Sequence, residues 1–208
     1  MARETVNAAA NLSLQQKLRK FITWFSHRDG PVRNWRYFPT RVLLRKLQSE
    51  SSEMRAYAAE GLGGVGDVHA VAPLINALSD NNSTVRRFAI SSLGHIRDPR
   101  AIDVLIPFLQ DEEADMRCAA VVALGELGLD EERVSNPPVQ IIEALMSSIW
   151  DTDRAVCSAA VVALGRIGNP QAISALNALA DATESEWVRR YVSEALHQIE
   201  EQNASLNS

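Results

Sequence analysis

Residues Ala119 to Gly125 read AAVVALG, and residues Ala159 to Gly165 repeat them letter for letter. With Leu124-Gly125 laid over Leu164-Gly165, the pair recurs upstream at Leu93-Gly94 and Leu62-Gly63, and Leu196 follows. The successive leucines lie 31, 31, 40 and 32 residues apart. Self-similarity of this period marks a chain built as a stack, in which each unit buries its apolar face against its neighbours.

Working outward, each unit reads as two helices. Met54, Ala58, Leu62 and Val65 fall on one helical face, and Val71, Leu74, Ile75 and Leu78 on the next. The plan is copied with Val85, Ala89, Leu93 and Ile96, then Ile102, Leu105, Ile106 and Leu109. Met116, Ala120, Leu124 and Leu127 open the third unit, followed by Ile141, Ile142, Leu145 and Ile149. Val156, Ala160, Leu164 and Ile167 open the fourth, followed by Ile173, Leu176 and Leu179, and a last helix spans Val188 to Ile199. Asp98-Pro99, Asn136-Pro137 and Asn169-Pro170 each pair a capping side chain with proline at the first helical position, and Asp67 holds the same column. The column Ala58, Ala89, Ala120 and Ala160 lets paired helices approach closely.

Upstream, Leu43 and Leu47 lie 31 residues before Leu74 and Leu78, so the run Thr40 to Gln48 fits the register as the remnant of a zeroth unit. The division expected is a basic, aromatic-rich helical cap over 1–50, a solenoid over 51–200, and a polar tail over 201–208, frayed from Asn203. The third unit carries nine extra residues within Leu129 to Pro138, either a binding loop or a tolerated acidic insertion.

Asp80 precedes Arg86 by six residues, and Asp111 precedes Arg117 by six. Asp151 precedes Cys157 by six, where the arginine is lost, and Asp181 and Arg189 are eight apart. An acid closing one unit and an arginine opening the next can form charge-assisted hydrogen bonds, so these residues read as a structural ladder.

The wording VRRFAISSLGHIRDPRAIDVLIPFLQD, at 85–111, and its copies resemble HEAT repeats, in the short bacterial variant named after phycobilisome lyases. The resemblance covers about residues 50–200. It implies an all-α, right-handed α-α superhelix (a HEAT/armadillo-type solenoid) of about four full repeats with degenerate N- and C-terminal caps. It further implies an accessory protein of phycobilisome metabolism, similar to the shorter E/F-type phycobilin lyase subunits. Such a protein has no permanent cofactor and holds a bilin, an open-chain tetrapyrrole, transiently. Its partners would be a phycobiliprotein subunit and a longer HEAT-repeat lyase chain, in the cytoplasm or plastid stroma. The attaching cysteine then belongs to the phycobiliprotein, and the chain needs no catalytic constellation of its own. The alternative is a non-catalytic protein-interaction scaffold, since fold and function are loosely coupled.

Composition narrows the chemistry. Two cysteines, Cys118 and Cys157, make no disulfide framework or metal knuckle. No two of His27, His69, His95 and His197 stand at helical i, i+4 spacing, and no His-Glu dipeptide of the kind used by HEAT-type di-iron hydroxylases occurs, so no metal site is expected. Neither a phosphate loop nor a nucleophile motif is present. No stretch reaches the ~20 apolar residues that span a bilayer. Residues 1–46 hold ten Lys and Arg against two acids, whereas residues 47–208 hold eleven Arg against twenty-four acids. A body with that acidic excess argues against nucleic acid along its surface.

Two sets of contact residues are expected. In the basic head, Arg33, Trp35, Arg36 and Tyr37 lie in a turn-rich stretch, where arginine forks suit carboxylates and aromatic faces suit flat ligands. A bilin has both features. Along the second helices, expected to line the concave side, His69 and Arg100 share an exposed column. Trp150 falls among the polar residues Ser79, Gln110 and Asp181, either as a contact residue or tucked under the adjacent helix.

Overall fold

A computed structural model describes residues 39–129 and 138–206, and every regular element among them is helical. In order these are α1 (Thr40–Lys46), α2 (Ser52–Val65), α3 (Val71–Ala77), α4 (Ser83–Ile96), α5 (Ile102–Leu105), α6 (Ala114–Gly128), α7 (Val139–Ser148), α8 (Arg154–Ile167), α9 (Ile173–Ala182) and α10 (Glu186–Leu206). Short 3-10 turns precede α3, α5 and α9, and a further one, Ile106–Gln110, continues α5. Pro107 has no N–H to bond back one helical turn, which accounts for the tightening there.

The chain chemistry sets the boundaries. Asn82 caps α4 by accepting from the amides of Thr84 and Val85 at 3.0 and 3.3 Å, and Asp153 caps α8 through Ala155 and Val156 at 2.8 and 3.3 Å. At their C-termini, α2 and α8 reverse on Gly66 and Gly168, whose φ values of 72° and 74° lie in the left-handed region. Asp67, Asp98 and Asn169 each accept from the amide two residues on and start the turn into the second helix. The Asn136-Pro137 junction and most of the nine-residue insertion lie outside the described residues.

One apolar core runs from Leu43 to Ile199 as an α-α superhelix. Leu43 is fully buried and Leu47 nearly so, placing α1 in the register of a second helix. The two helix layers are spaced differently. A Cβ placed on Gly94 would stand 2.5 Å from the Ala123 Cα, and one on Gly165 would stand 2.8 Å from the Ala195 Cα. Gly63 faces Ser92 and Gly125 faces Ala163 in the same way. The glycine after each register leucine thus receives the small residue before the next one, and α2, α4, α6, α8 and α10 form a closely spaced layer. Contacts between successive second helices are far sparser.

A stack bends toward its more closely spaced layer. The inner surface therefore belongs to the first helices, which corrects the expectation that the second helices line it. The small residues set the approach between units as well as within them.

The C-terminus differs too. Helix α10 continues through Leu206 instead of fraying. Gln202 donates to the Arg166 carbonyl at 3.3 Å, and Asn203 donates to the Gly168 carbonyl at 3.2 Å, so the expected tail is pinned to the end of α8.

Candidate functional site

Three regions of the stack carry side chains beyond what its core requires. The first is the edge formed by the turns into α2, α4, α6, α8 and α10, where the arginines stand. Arg117 donates from Nε and Nη2 to both carboxylate oxygens of Asp151 at 2.7 and 3.0 Å, and from Nη1 to the carbonyls of Asp111 and Glu112 at 2.9 and 3.2 Å. Arg55 makes the same set with Asp80 and the carbonyls of Ser49 and Glu50. Arg86 reaches the carbonyls of Asp80 and Asn81 and, at 3.1 Å, the Glu113 carboxylate. Hydrogen bonds from Arg55 and Arg117 hold the carboxyls of Asp80 and Asp151 below the usual range, against the opposing effect of burial.

This changes the ladder. At six-residue spacing, Arg86 and Arg117 donate to the main-chain carbonyls of Asp80 and Asp111, not to their carboxylates. Asp80 and Asp151 take their forks from arginines 25 and 34 residues upstream. Arg189 likewise takes Thr183, six before it, through the carbonyl at 2.9 Å; its spacing of eight from Asp181 is not the one the rung uses. The difference between 25 and 34 is the nine-residue insertion, which leaves the rung intact.

The second region is the end of the inner layer. Arg97 and Arg166, from the units on either side, donate to Glu126 at 2.6 and 2.8 Å. Burial pushes the Glu126 carboxyl up, but the hydrogen bonds and positive charges of the two arginines together more than offset it. On the 3-10 turns before α3 and α5, His69 and Arg100 are exposed. Each is held by its own capping acid: the His69 Nδ1 stands 2.8 Å from Asp67, and Arg100 forks onto Asp98 at 2.8 and 2.7 Å. Thr40 donates to Asp67 at 2.6 Å, and with the His69 amide and ring this lowers the Asp67 carboxyl to about 2.

The third region, on the inner surface, is apolar. Val122 and Val162, the fourth letters of the two AAVVALG copies, are 49% and 39% exposed. Half-buried Cys118, Ala119, Ser158 and Ala159 lie beside them. Phe88 on one side and Tyr191, 42% exposed, on the other share the column of Ala119 and Ala159, one turn before the valines. Arg87 lies over the Phe88 ring at 4.8 Å, Arg154 over the Trp187 ring at 3.9 Å, and Trp187 meets Tyr191 edge-on at 5.7 Å. The result is a floor of small apolar residues between aromatic walls. Reading the first helices only as packing elements missed it, although Val122 and Val162 lie off the buried face of the helical period.

Trp150 is 52% exposed beyond α7 and walls two cavities, of 330 and 410 Å³. A third cavity, of 380 Å³, lies between Leu44 and Pro73. These lie at the lower end of the ~300 to 1,000 Å³ that small-molecule sites span. Burial raises the thiols of Cys118 and Cys157, so neither is an activated nucleophile. Among the described residues no cluster of His, Cys, Asp or Glu could hold a metal, and no helix is long and apolar enough to cross a membrane. Arg33, Trp35, Arg36 and Tyr37 lie outside the described residues.

The fold and the apolar inner face together define a helical-repeat protein with the kind of exposed surface that holds other proteins. The family described as HEAT repeats matches residues 40–125 and 108–197, so the chain belongs to the HEAT-repeat family. Among solved structures it is similar to the complex of CpcE and CpcF of phycocyanin lyase from Nostoc sp. PCC7120, at 25% identity and a TM-score of 0.62, covering 76% of this chain and 97% of that one. An engineered protein is 21% identical with a TM-score of 0.59, over 78% of this chain and 79% of its own. A designed armadillo-repeat protein in complex with a (KR)4 peptide is 19% identical with a TM-score of 0.57, over 76% and 80%. No curated protein matches the chain.

Proposed function

We propose that this chain is a binding subunit of the phycobilin-lyase kind, which acts with a protein partner to hold a phycobiliprotein or its bilin during chromophore attachment or detachment. The observation that carries the reading is the inner face from Phe88 across Val122 and Val162 to Tyr191. An open apolar floor with aromatic walls suits a macromolecular surface better than an enclosed small molecule. The phycocyanin lyase complex supports it, since the likeness extends over nearly the whole of that chain. In this reading the bilin is a transient passenger, and Arg33, Trp35, Arg36 and Tyr37 remain candidates for its propionates and rings.

Co-expression with a phycobiliprotein subunit, a longer HEAT-repeat lyase chain and bilin-synthesis enzymes tests it. A coloured phycobiliprotein that forms only when this chain is present is the expected result. Absence of both colour and co-purification overturns the proposal. Capture of a protein without pigment favours the plain interaction scaffold, for which the same inner face is the supporting observation. Loss of colour in an Arg33→Ala/Arg36→Ala double variant assigns the bilin to the head, and unchanged colour removes those residues.

A further inference from the structure

The arginine ladder has one rung missing. At the same position of their helices α2, α4, α6 and α10 carry Arg55, Arg86, Arg117 and Arg189, and each donates to the carbonyl six residues earlier. Three of them also reach the carbonyl five residues earlier. Helix α8 has Cys157 there, whose thiol reaches only the Ile149 carbonyl, at 3.1 Å.

The 330 Å³ cavity lies at this place. Its lining includes Asp151 and Thr152, the residues six and five before Cys157, with Trp150, Trp187 and Thr183 around them. The carbonyls of Asp151 and Thr152 thus occupy the positions that receive a guanidinium three times elsewhere in this chain. Among the described residues nothing donates to either. Asp151 is the one carboxylate in the lining, which also includes Arg154. The Asp151 carboxylate is taken by Arg117, and Arg154 already covers one face of Trp187. Trp150, half exposed, leaves an indole wall for a further planar cation. The group that fits paired carbonyl acceptors and an aromatic wall is planar, cationic and rich in N–H donors, which describes a guanidinium better than an ammonium.

We propose that the cavity at Cys157 is a slot for the guanidinium of an arginine presented by a partner protein, which completes from outside the rung that the fourth repeat omits. The proposal rests on the reading that this chain works against a protein partner, and it adds the chemistry by which that partner is recognised.

The test needs neither pigment nor phycobiliprotein, so its outcome is separate from that of the lyase reading. The full chain is titrated with N-acetyl-arginine methylamide, and the indole N–H resonances of Trp150 and Trp187 are followed by NMR. A peptide with a single arginine and its citrulline counterpart form a second arm, which separates a protein-borne guanidinium from a small free one. Saturable shifts with the arginine probes are expected, at least about tenfold weaker with citrulline or lysine analogues. Cys157→Arg should abolish the shifts and raise the melting temperature, because its own fork fills the slot. Cys157→Met, which fills the same space without donors, should abolish them as well, and Cys157→Ala should retain them. Equal response to arginine and citrulline probes, no saturable shift with either the small probe or the peptide, or unaltered binding in Cys157→Arg and Cys157→Met would overturn the proposal. A peptide that binds where the small probe does not supports the protein source.

Discussion

The Thr40 hydroxyl and the Asp67 carboxylate tie the remnant unit to the first complete repeat with one 2.6 Å hydrogen bond. A carboxyl lowered in the folded state stabilises the fold above its unfolded pKa of about 3.9. That contribution is lost as pH falls through the folded value, about 2 for Asp67. In Thr40→Val the Asp67 pKa should rise toward the ordinary range, and acid unfolding should begin at higher pH; an NMR pH titration reads both. Two glycines separate backbone strain from packing. Gly66 has φ 72° and open space around its missing Cβ, so Gly66→Ala should cost about 1 kcal/mol, the left-handed penalty alone. Gly94 has an ordinary helical backbone but abuts the Ala123 main chain, so Gly94→Ala should cost about 1–3 kcal/mol by forcing the layer apart. Denaturant midpoints distinguish the two. The register leucines and Gly66 were legible as letters. The Thr40 contact was not, because its partner lies 27 residues away in a different unit.

Among the elements, the arginine rungs differ in quality. Arg117 makes a two-pronged contact with Asp151, and the side chains are only 16% and 12% exposed. Arg86 makes one bond to Glu113, whose side chain is half exposed. Arg117→Ala should therefore lower the melting temperature clearly more than Arg86→Ala, and calorimetry on the two variants checks the order. The six-residue spacing was visible in the sequence because it records a local contact, from a guanidinium back to the turn just before its helix. The carboxylate partner was not visible. It sits a full repeat away, at a separation that the insertion changes from 25 to 34. Helix order and start sites were readable from capping residues and apolar period. Which layer faces inward was not, since it depends on glycine–alanine approach between units that the period alone does not encode.

On the scale of the molecule, AAVVALG serves two ends. Its leucine and glycine pack the stack, and its exposed valine paves the inner face. Replacing Val122 and Val162 together by aspartate should abolish capture of a protein partner by at least about tenfold in affinity. Exposed substitutions cost about 0.5 kcal/mol or less, so the fold should survive. Pull-down and circular dichroism on one preparation check both halves. The face escaped sequence reading because an alanine–valine helix looks like core on either side, and only the stack decides which side is covered. Stability in such a stack is a chain of nearest-neighbour couplings. The rung absent at Cys157 thus has a thermodynamic consequence for the last two helices. Opening of α9 and α10 should occur as a separate event, of lower free energy than global unfolding. In native-state hydrogen exchange their amides should form the first group to lose protection, ahead of those in α4 and α6. An arginine restored at position 157 should merge the two events into one.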